Sequence, residues 1–207
     1  MTRIVAGLAR GVRLTVPDAG TRPTSDRARE AVFSSVESMR GPWAGAHVLD
    51  LYAGSGACGL EAASRGAERV DLVESSAAAV ASIEQNRRAV NASAPDAAIE
   101  VHRSTVQRWL AAAGRDQGRV QVRYDVVFCD PPYATDDSEV AGVLADLVTT
   151  ATLAADGLVV VERSARAAPW IFTEPLHPRW DRRYGEAHLW IAEADDRPTA
   201  SDSVAPC

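Results

Sequence analysis

Val48-Leu49-Asp50-Leu51-Tyr52-Ala53-Gly54-Ser55-Gly56-Ala57-Cys58-Gly59 places a glycine-rich turn between an apolar run and a stretch of helix formers. A strand that turns on glycines straight into a helix opens a doubly wound α/β sheet. Glycine permits the tight turn and lets backbone N–H groups approach a ligand. Gly54, Gly56 and Gly59 satisfy G-x-G-x-x-G, and Glu74 follows at the end of the next apolar run. A carboxylate at that strand end can accept hydrogen bonds from both hydroxyls of a ribose.

Outward from this turn, the pattern alternates strand and helix. Strands are expected at 47–51, 69–74, 98–102, 124–129 and 157–162, with helices near 57–66, 76–91, 104–113 and 138–150. The strands are short and Val/Leu-rich without polar alternation, as in a parallel sheet covered on both faces. After residue 163 the helical rhythm stops, and residues 178–194 read as two more strands joined near Tyr184-Gly185-Glu186. Upstream, residues 3–16 read as a β-hairpin turning at Arg10-Gly11, and Pro17 ends it. Residues 17–24 are turn-rich. Thr24 or Ser25 caps a helix that runs to about Met39, with Ala28, Val32, Val36 and Met39 at helical spacing and Gly41-Pro42 as the stop. Three regions result: a hairpin arm and linker over 1–24, a main domain over 25–194, and an acidic tail over 195–207 expected to be disordered.

Composition narrows the class. At 207 residues and 46 % apolar content, one domain with a sizeable core is expected. No apolar run reaches the ~18 residues of a membrane span, and Gly7 and Arg10 interrupt the N-terminus too early for a secretory segment. A cytoplasmic location is expected. Cys58, Cys129 and Cys207 are far apart and form no CxxC pair, so neither disulfides nor a metal site is expected, and Cys58 and Cys129 are expected in the core. The net charge of −6 disfavours nucleic acid if taken globally. Its distribution does not: residues 1–29 hold six arginines (Arg3, Arg10, Arg13, Arg22, Arg27, Arg29) against Asp18 and Asp26.

Asp50 at the mouth of the glycine turn suits a cation and would repel a pyrophosphate. That favours S-adenosylmethionine, with its positively charged methionyl end, over NAD. The expected cofactor contacts are Asp50, Tyr52, Gly54, Gly56 and Glu74, with Thr105 and the Val106 backbone as candidates to touch the adenine. An N-cap at Ser104 or Thr105 is an equal reading of that last segment.

The strand Tyr124-Asp125-Val126-Val127-Phe128-Cys129 runs into Asp130-Pro131-Pro132-Tyr133. The two prolines stiffen the loop and remove donors. The Asp130 carboxylate and Pro131 carbonyl then form a surface of acceptors. The exocyclic amino group of a base offers two N–H donors, and its lone pair is delocalised into the ring. Acceptors on those hydrogens draw the nitrogen toward tetrahedral geometry and aim the lone pair at a methyl sulfonium. Tyr133 offers an aromatic face to a base turned out of its stack.

These segments together resemble the bacterial 16S ribosomal RNA guanine-N2 methyltransferase family of the RsmD type. The resemblance rests on Arg3-Ile4-Val5-Ala6-Gly7 with Arg10-Gly11, and on Arg22-Pro23-Thr24 followed by Asp26-Arg27, Arg29-Glu30 and Phe33. It continues through Asp50-Leu51-Tyr52-Ala53-Gly54-Ser55-Gly56 with Gly59-Leu60-Glu61-Ala62, and closes with Asp130-Pro131-Pro132-Tyr133. It implies a Rossmann-like class I S-adenosylmethionine-dependent methyltransferase with a seven-stranded, mostly parallel sheet, an antiparallel last strand and an N-terminal β-hairpin extension. It further implies methylation of one guanine N2 in small-subunit ribosomal RNA, on an assembling or assembled subunit. Asp130, Pro131, Pro132 and Tyr133 would be the catalytic loop, and Arg10, Arg13, Arg22, Arg27 and Arg29 the RNA contacts. A monomer is expected. The rival readings are a DNA adenine-N6 methyltransferase, a ribosome-assembly protein without turnover, and an NAD-dependent oxidoreductase.

Overall fold

The computed structural model describes residues 2–17, 25–113 and 122–195. In chain order the elements are β1 (Thr2–Arg3), β2 (Arg13–Leu14), α1 (Asp26–Arg40), β3 (His47–Leu51), α2 (Ala57–Ser64), β4 (Arg69–Glu74) and α3 (Ala77–Asn91). They continue with β5 (Ala98–Arg103), α4 (Val106–Ala113), β6 (Tyr124–Cys129), α5 (Asp137–Thr149), β7 (Leu153–Ser164), β8 (Leu176–Tyr184) and β9 (Ala187–Ala194). β1 and β2 form a small antiparallel pair; the other seven strands make one sheet in the order β5-β4-β3-β6-β7-β9-β8. The sheet is parallel from β5 to β7, and β9 runs antiparallel between β7 and β8. This is the seven-stranded Rossmann-like arrangement.

The chain leaves β3 toward one edge and returns to β6 on its other side. β3 and β6 therefore flank the point where strand order reverses, and the crevice beyond their C-terminal ends is where such folds bind ligands. Both signature loops leave these two strands.

Two apolar clusters cover the faces. One joins Phe33, Val36, Trp43, Leu60, Leu72, Ile83, Phe128, Val160 and Ile191; the other joins Leu49, Leu51, Val106, Leu110, Val127, Val143 and Leu147. Phe33 bridges Trp43 and Phe128 with ring centroids 4.7 and 5.2 Å away. Ser25 caps α1 through Ala28 N–H, and Val32 and Val36 are buried while Met39 is partly exposed. Cys129 is buried and Cys58 only half-buried.

The hairpin does not project from the body. The buried Glu61 carboxylate accepts N–H bonds from Val5 (2.7 Å) and Ala6 (2.9 Å), and Ser64 Oγ accepts one from Ala9 (2.9 Å). Gly7 lies so close to the Ser64 carbonyl that a Cβ would sit 1.9 Å from it, at a φ of +80°. Ile4, Ala9 and Leu14 belong to the first core cluster. β1 and β2 are only two residues long; the segment between them closes on itself through Ile4 N–H to the Val12 carbonyl (2.9 Å) and Gly11 N–H to the Ile4 carbonyl (2.9 Å), and bonds to α2 as well. The acidic tail lies, apart from Asp195, outside the described residues. No helix among the described residues is long and apolar enough to cross a membrane.

Candidate active site

β3 delivers Asp50 to the sheet's C-terminal edge, and the chain then turns sharply. Tyr52 has φ 59°, which a bulky side chain adopts only when its surroundings impose it. Gly54 (φ 56°) and Gly56 (φ 76°) complete the turn, and Gly56 caps α2. Gly59 has a packing role: a Cβ there would meet Leu72 and Val70 side chains, each at 2.9 Å. Asp50 is buried and accepts a 2.8 Å bond from Gly59 N–H. Burial pushes its carboxyl up to about 7, against the Gly59 bond and with help from nearby Glu74. Asp50 thus stands within the turn rather than at its open mouth.

Glu74, at the end of β4, is held from two sides. Its oxygens accept N–H bonds from Gly54 (2.9 Å) and Ser76 (2.7 Å). Glu74 is thus in direct contact with the glycine turn. The Tyr52 hydroxyl is buried and makes no hydrogen bond of good geometry among the described residues, although Gln107 stands close enough to ease its ionisation. Burial foremost raises it to about 12. Thr105 is the N-cap of α4: its Oγ1 accepts from Arg108 N–H at 3.3 Å. The Val106 side chain is core.

β6 delivers Asp130 one strand away. Arg163, at the end of β7, ties down the loop that follows. It donates to the carbonyls of Pro132 (3.4 Å) and Thr135 (2.5 Å) and pairs with Asp137 at 2.9 Å. Asp130 and Tyr133 are exposed and Pro131 is buried. The protein packed behind Asp130, then Glu162 and Asp50, push its carboxyl above the ordinary range; its open face toward solvent tempers that push, and Arg163 opposes it. The Tyr133 hydroxyl donates to Glu162 Oε1 at 3.4 Å. Burial, with Glu162 and Asp130 nearby, raises it to about 12, so it stays a phenol.

The arginines divide. Arg10, Arg13 and Arg27 are exposed, and Arg22 lies outside the described residues. Arg29 corrects the expectation of an RNA contact: it is 2 % exposed. It sits one helical turn before Phe33 on the buried stripe of α1. Its Nη2 donates to the Arg3 carbonyl and to Asp26, and its Nε lies 3.7 Å from Glu61. That guanidinium neutralises a buried carboxylate and is not available to phosphate. Glu30 and Glu37 pair with Arg65, not with Arg27 or Arg29. Arg10 belongs to the turn bonded at the C-terminal end of α2, whereas the glycine turn is at that helix's N-terminal end. It is therefore remote from the Asp130 loop. Arg182 and Arg183, exposed at the end of β8 and separated from Arg163 by β9, are nearer; Arg183 Nε donates to His188 Nδ1 at 3.3 Å.

Sequence reading missed Glu162 and Arg163, which carry no motif of their own. The one available signal was their position, a charged pair ending the apolar run 158–161. It also missed the network at Asp71, which accepts from Arg69 (2.6 Å) and the Tyr124 hydroxyl (2.9 Å) and contacts His102 (2.6 Å). Burial opposes its ionisation, but these three partners outweigh it and hold the carboxyl below its ordinary range. Asp71, Glu100 and His102 bring potential ligand atoms within 4.8 Å of one another. Arg69 already occupies that carboxylate, which disfavours a cation there.

A strand-turn-helix glycine loop, a carboxylate at the end of the next strand, and a Pro-Pro loop across the switch point define a Rossmann-like class I methyltransferase. The family model described as conserved hypothetical protein 95 matches residues 2–193. The chain belongs to this family, which bears out the RsmD-type resemblance of its motifs. It is 32 % identical to "Putative rRNA methyltransferase YlbH" of Bacillus subtilis over 77 % of this chain and 81 % of that protein. It is 36 % identical to ribosomal RNA small subunit methyltransferase D of Escherichia coli over 63 % of this chain and 60 % of that protein. The structure of "Putative methyltransferase yhhF" from Escherichia coli superimposes with a TM-score of 0.76 at 28 % identity, covering 94 % of this chain and 98 % of that one.

Proposed function

We propose that the protein uses S-adenosylmethionine to methylate the exocyclic N2 amino group of a guanine in small-subunit ribosomal RNA. The observation that carries the reading is the Asp130-Pro131-Pro132-Tyr133 loop, immobilised by Arg163 one strand away from the glycine turn. The relatives' names, ribosomal RNA methyltransferases, support the RNA substrate.

The donor set fits this cofactor. Asp50, Glu74 and Asp130 bring three carboxyl groups to the ends of β3, β4 and β6, and Arg163 is already paired with Asp137, so the crevice suits a sulfonium and an ammonium and would repel a pyrophosphate. Glu74 would take the ribose hydroxyls, Gly54 and Gly56 would let the chain approach, and Asp50 and Tyr52 would line the methionyl end. Thr105 and the Val106 backbone would take the adenine side. Bound there, S-adenosylmethionine supplies the methyl group: its carbon–sulfur bond gives way to a carbon–nitrogen bond, and the electron pair stays on sulfur.

The chain's own residues do the rest. Asp130 and the Pro131 carbonyl accept the two amino hydrogens and so direct the nitrogen lone pair. Pro131 and Pro132 hold those acceptors still. Tyr133 stacks on the base, its hydroxyl anchored to Glu162. The proton in excess after transfer leaves to solvent, which reaches Asp130. Arg10, Arg13, Arg22 and Arg27 contact phosphates, joined by the exposed Arg182 and Arg183 of β8.

The test is methyl transfer to small subunits from cells lacking the gene, with the modified base mapped. Asp130→Ala and Tyr133→Ala should each lower the rate by at least about 100-fold, the scale on which a lost transition-state contact acts. Near-normal rates in both would remove the site assignment.

A further inference from the structure

Resting on the guanine reading above, we infer that Glu162 is the residue that selects guanine: its carboxylate accepts the N1–H while Asp130 accepts the N2 amino group. The last registered pair between β6 and β7 is Cys129–Val161. Asp130 and Glu162 are the next residues on each strand, so they stand side by side, about 4.8 Å apart by ordinary strand spacing. Side-chain alternation puts both on the face of Phe128 and Val160. Asp130 is open to solvent and Glu162 only 5 % exposed. The pair therefore offers one acceptor at the rim and one in the wall. The Tyr133 hydroxyl donates to Glu162, which ties the stacking ring to the same carboxyl group.

Guanine's Watson–Crick edge carries adjacent donors, N1–H and the N2 amino group. Two adjacent carboxylates match it. Adenine presents a lone pair at N1 beside its amino group, and that lone pair would face the Glu162 charge. A site built to hydrogen-bond a donor rejects an analogue that lacks it far more strongly than an apolar pocket rejects a change of size. The dipeptide's other member, Arg163, holds the loop, so the two consecutive residues at the end of β7 divide positioning from recognition.

The experiment uses small-subunit RNA ligated to carry guanine or 2-aminopurine at the mapped position and assembled into subunits. The 2-aminopurine keeps the amino group and replaces N1–H with a lone pair. Wild-type protein should prefer guanine by about 100-fold or more, within the range for a missing hydrogen-bond donor. Glu162→Gln can turn an amide N–H toward N1. It should lower transfer to guanine and shift the guanine/2-aminopurine rate ratio by at least about tenfold toward 2-aminopurine. Its S-adenosylmethionine Kd should stay within about twofold, since a lost contact to substrate alone leaves cofactor binding unchanged. The loss of O6 in 2-aminopurine affects both proteins and cancels in the comparison. An unchanged ratio in the variant overturns the assignment. Equal wild-type rates on the two bases overturn it without any variant. If wild-type protein methylates no guanine in the subunit at all, the functional reading itself falls, and the assignment with it.

Discussion

Replacing Asp50 with Asn should stabilise the protein at alkaline pH. The Asp50 carboxyl is 3 % exposed and raised from 3.8 to about 7. The shift is opposite to that of a salt-bridged carboxylate, so the folded state holds this proton more tightly than the unfolded state. Below pH 3.8 both states are protonated and the group is neutral for stability. Between 3.8 and about 7 only the unfolded state has released the proton, so stability falls as pH rises. Above about 7 the full cost stands. Roughly three pH units at 1.36 kcal/mol each make that cost about 4 kcal/mol. Asn keeps an oxygen for the Gly59 N–H but makes the bond neutral, at a loss of about 1 kcal/mol. Asp50→Asn should therefore exceed wild type by about 3 kcal/mol at pH 8, shrinking to about 0.6 kcal/mol at pH 5. Urea unfolding followed by tryptophan fluorescence across this range measures both numbers. Parallel pH profiles, or a less stable Asn variant at pH 8, would refute the reasoning. The same substitution should weaken S-adenosylmethionine binding, because the charge it removes is the one proposed to face the methionyl end.

Arg29→Leu should destabilise the protein by about 1–3 kcal/mol, because it removes the bonds to the Arg3 carbonyl and Asp26 and leaves the fully buried Glu61 with Arg65 as its remaining cation; denaturant midpoints read this, and a loss under about 0.5 kcal/mol would contradict the burial argument. Arg13→Ala should leave stability within about 0.5 kcal/mol and reduce the salt slope of RNA binding by about 1; an unchanged slope would remove it from the interface. Arg163→Met should release the Pro132 and Thr135 carbonyls and lower kcat by at least about tenfold while the cofactor Kd holds, as expected when a loop loses its placement. Equal kcat would show that the prolines alone suffice.

Signals carried within a few residues of chain were legible in the sequence. The turn after Leu51, the strand limits at 47–51, 69–74 and 124–129, the Ser25 cap and the Pro-Pro exit are each encoded locally by glycine, proline, a capping hydroxyl or an apolar run. They suffice for a doubly wound sheet with its two loops at the switch point, because the right-handed crossover rule leaves few alternatives. The tertiary structure decided what depends on neighbours far along the chain. Arg29 has the helical spacing of Phe33, yet its charge reads as surface until Glu61 is seen to meet it across 32 positions of sequence. The N-terminal segment reads as a free arm until Glu61 and Ser64 take up its N–H groups. Glu162 and Arg163 read as the polar end of a strand until β7 is laid in register against β6 and brings them to Asp130 and the Pro-Pro loop. Periodicity and turn chemistry are written residue by residue. A buried charge and its partner, or two carboxylates on neighbouring strands, acquire meaning only from the register that folding sets.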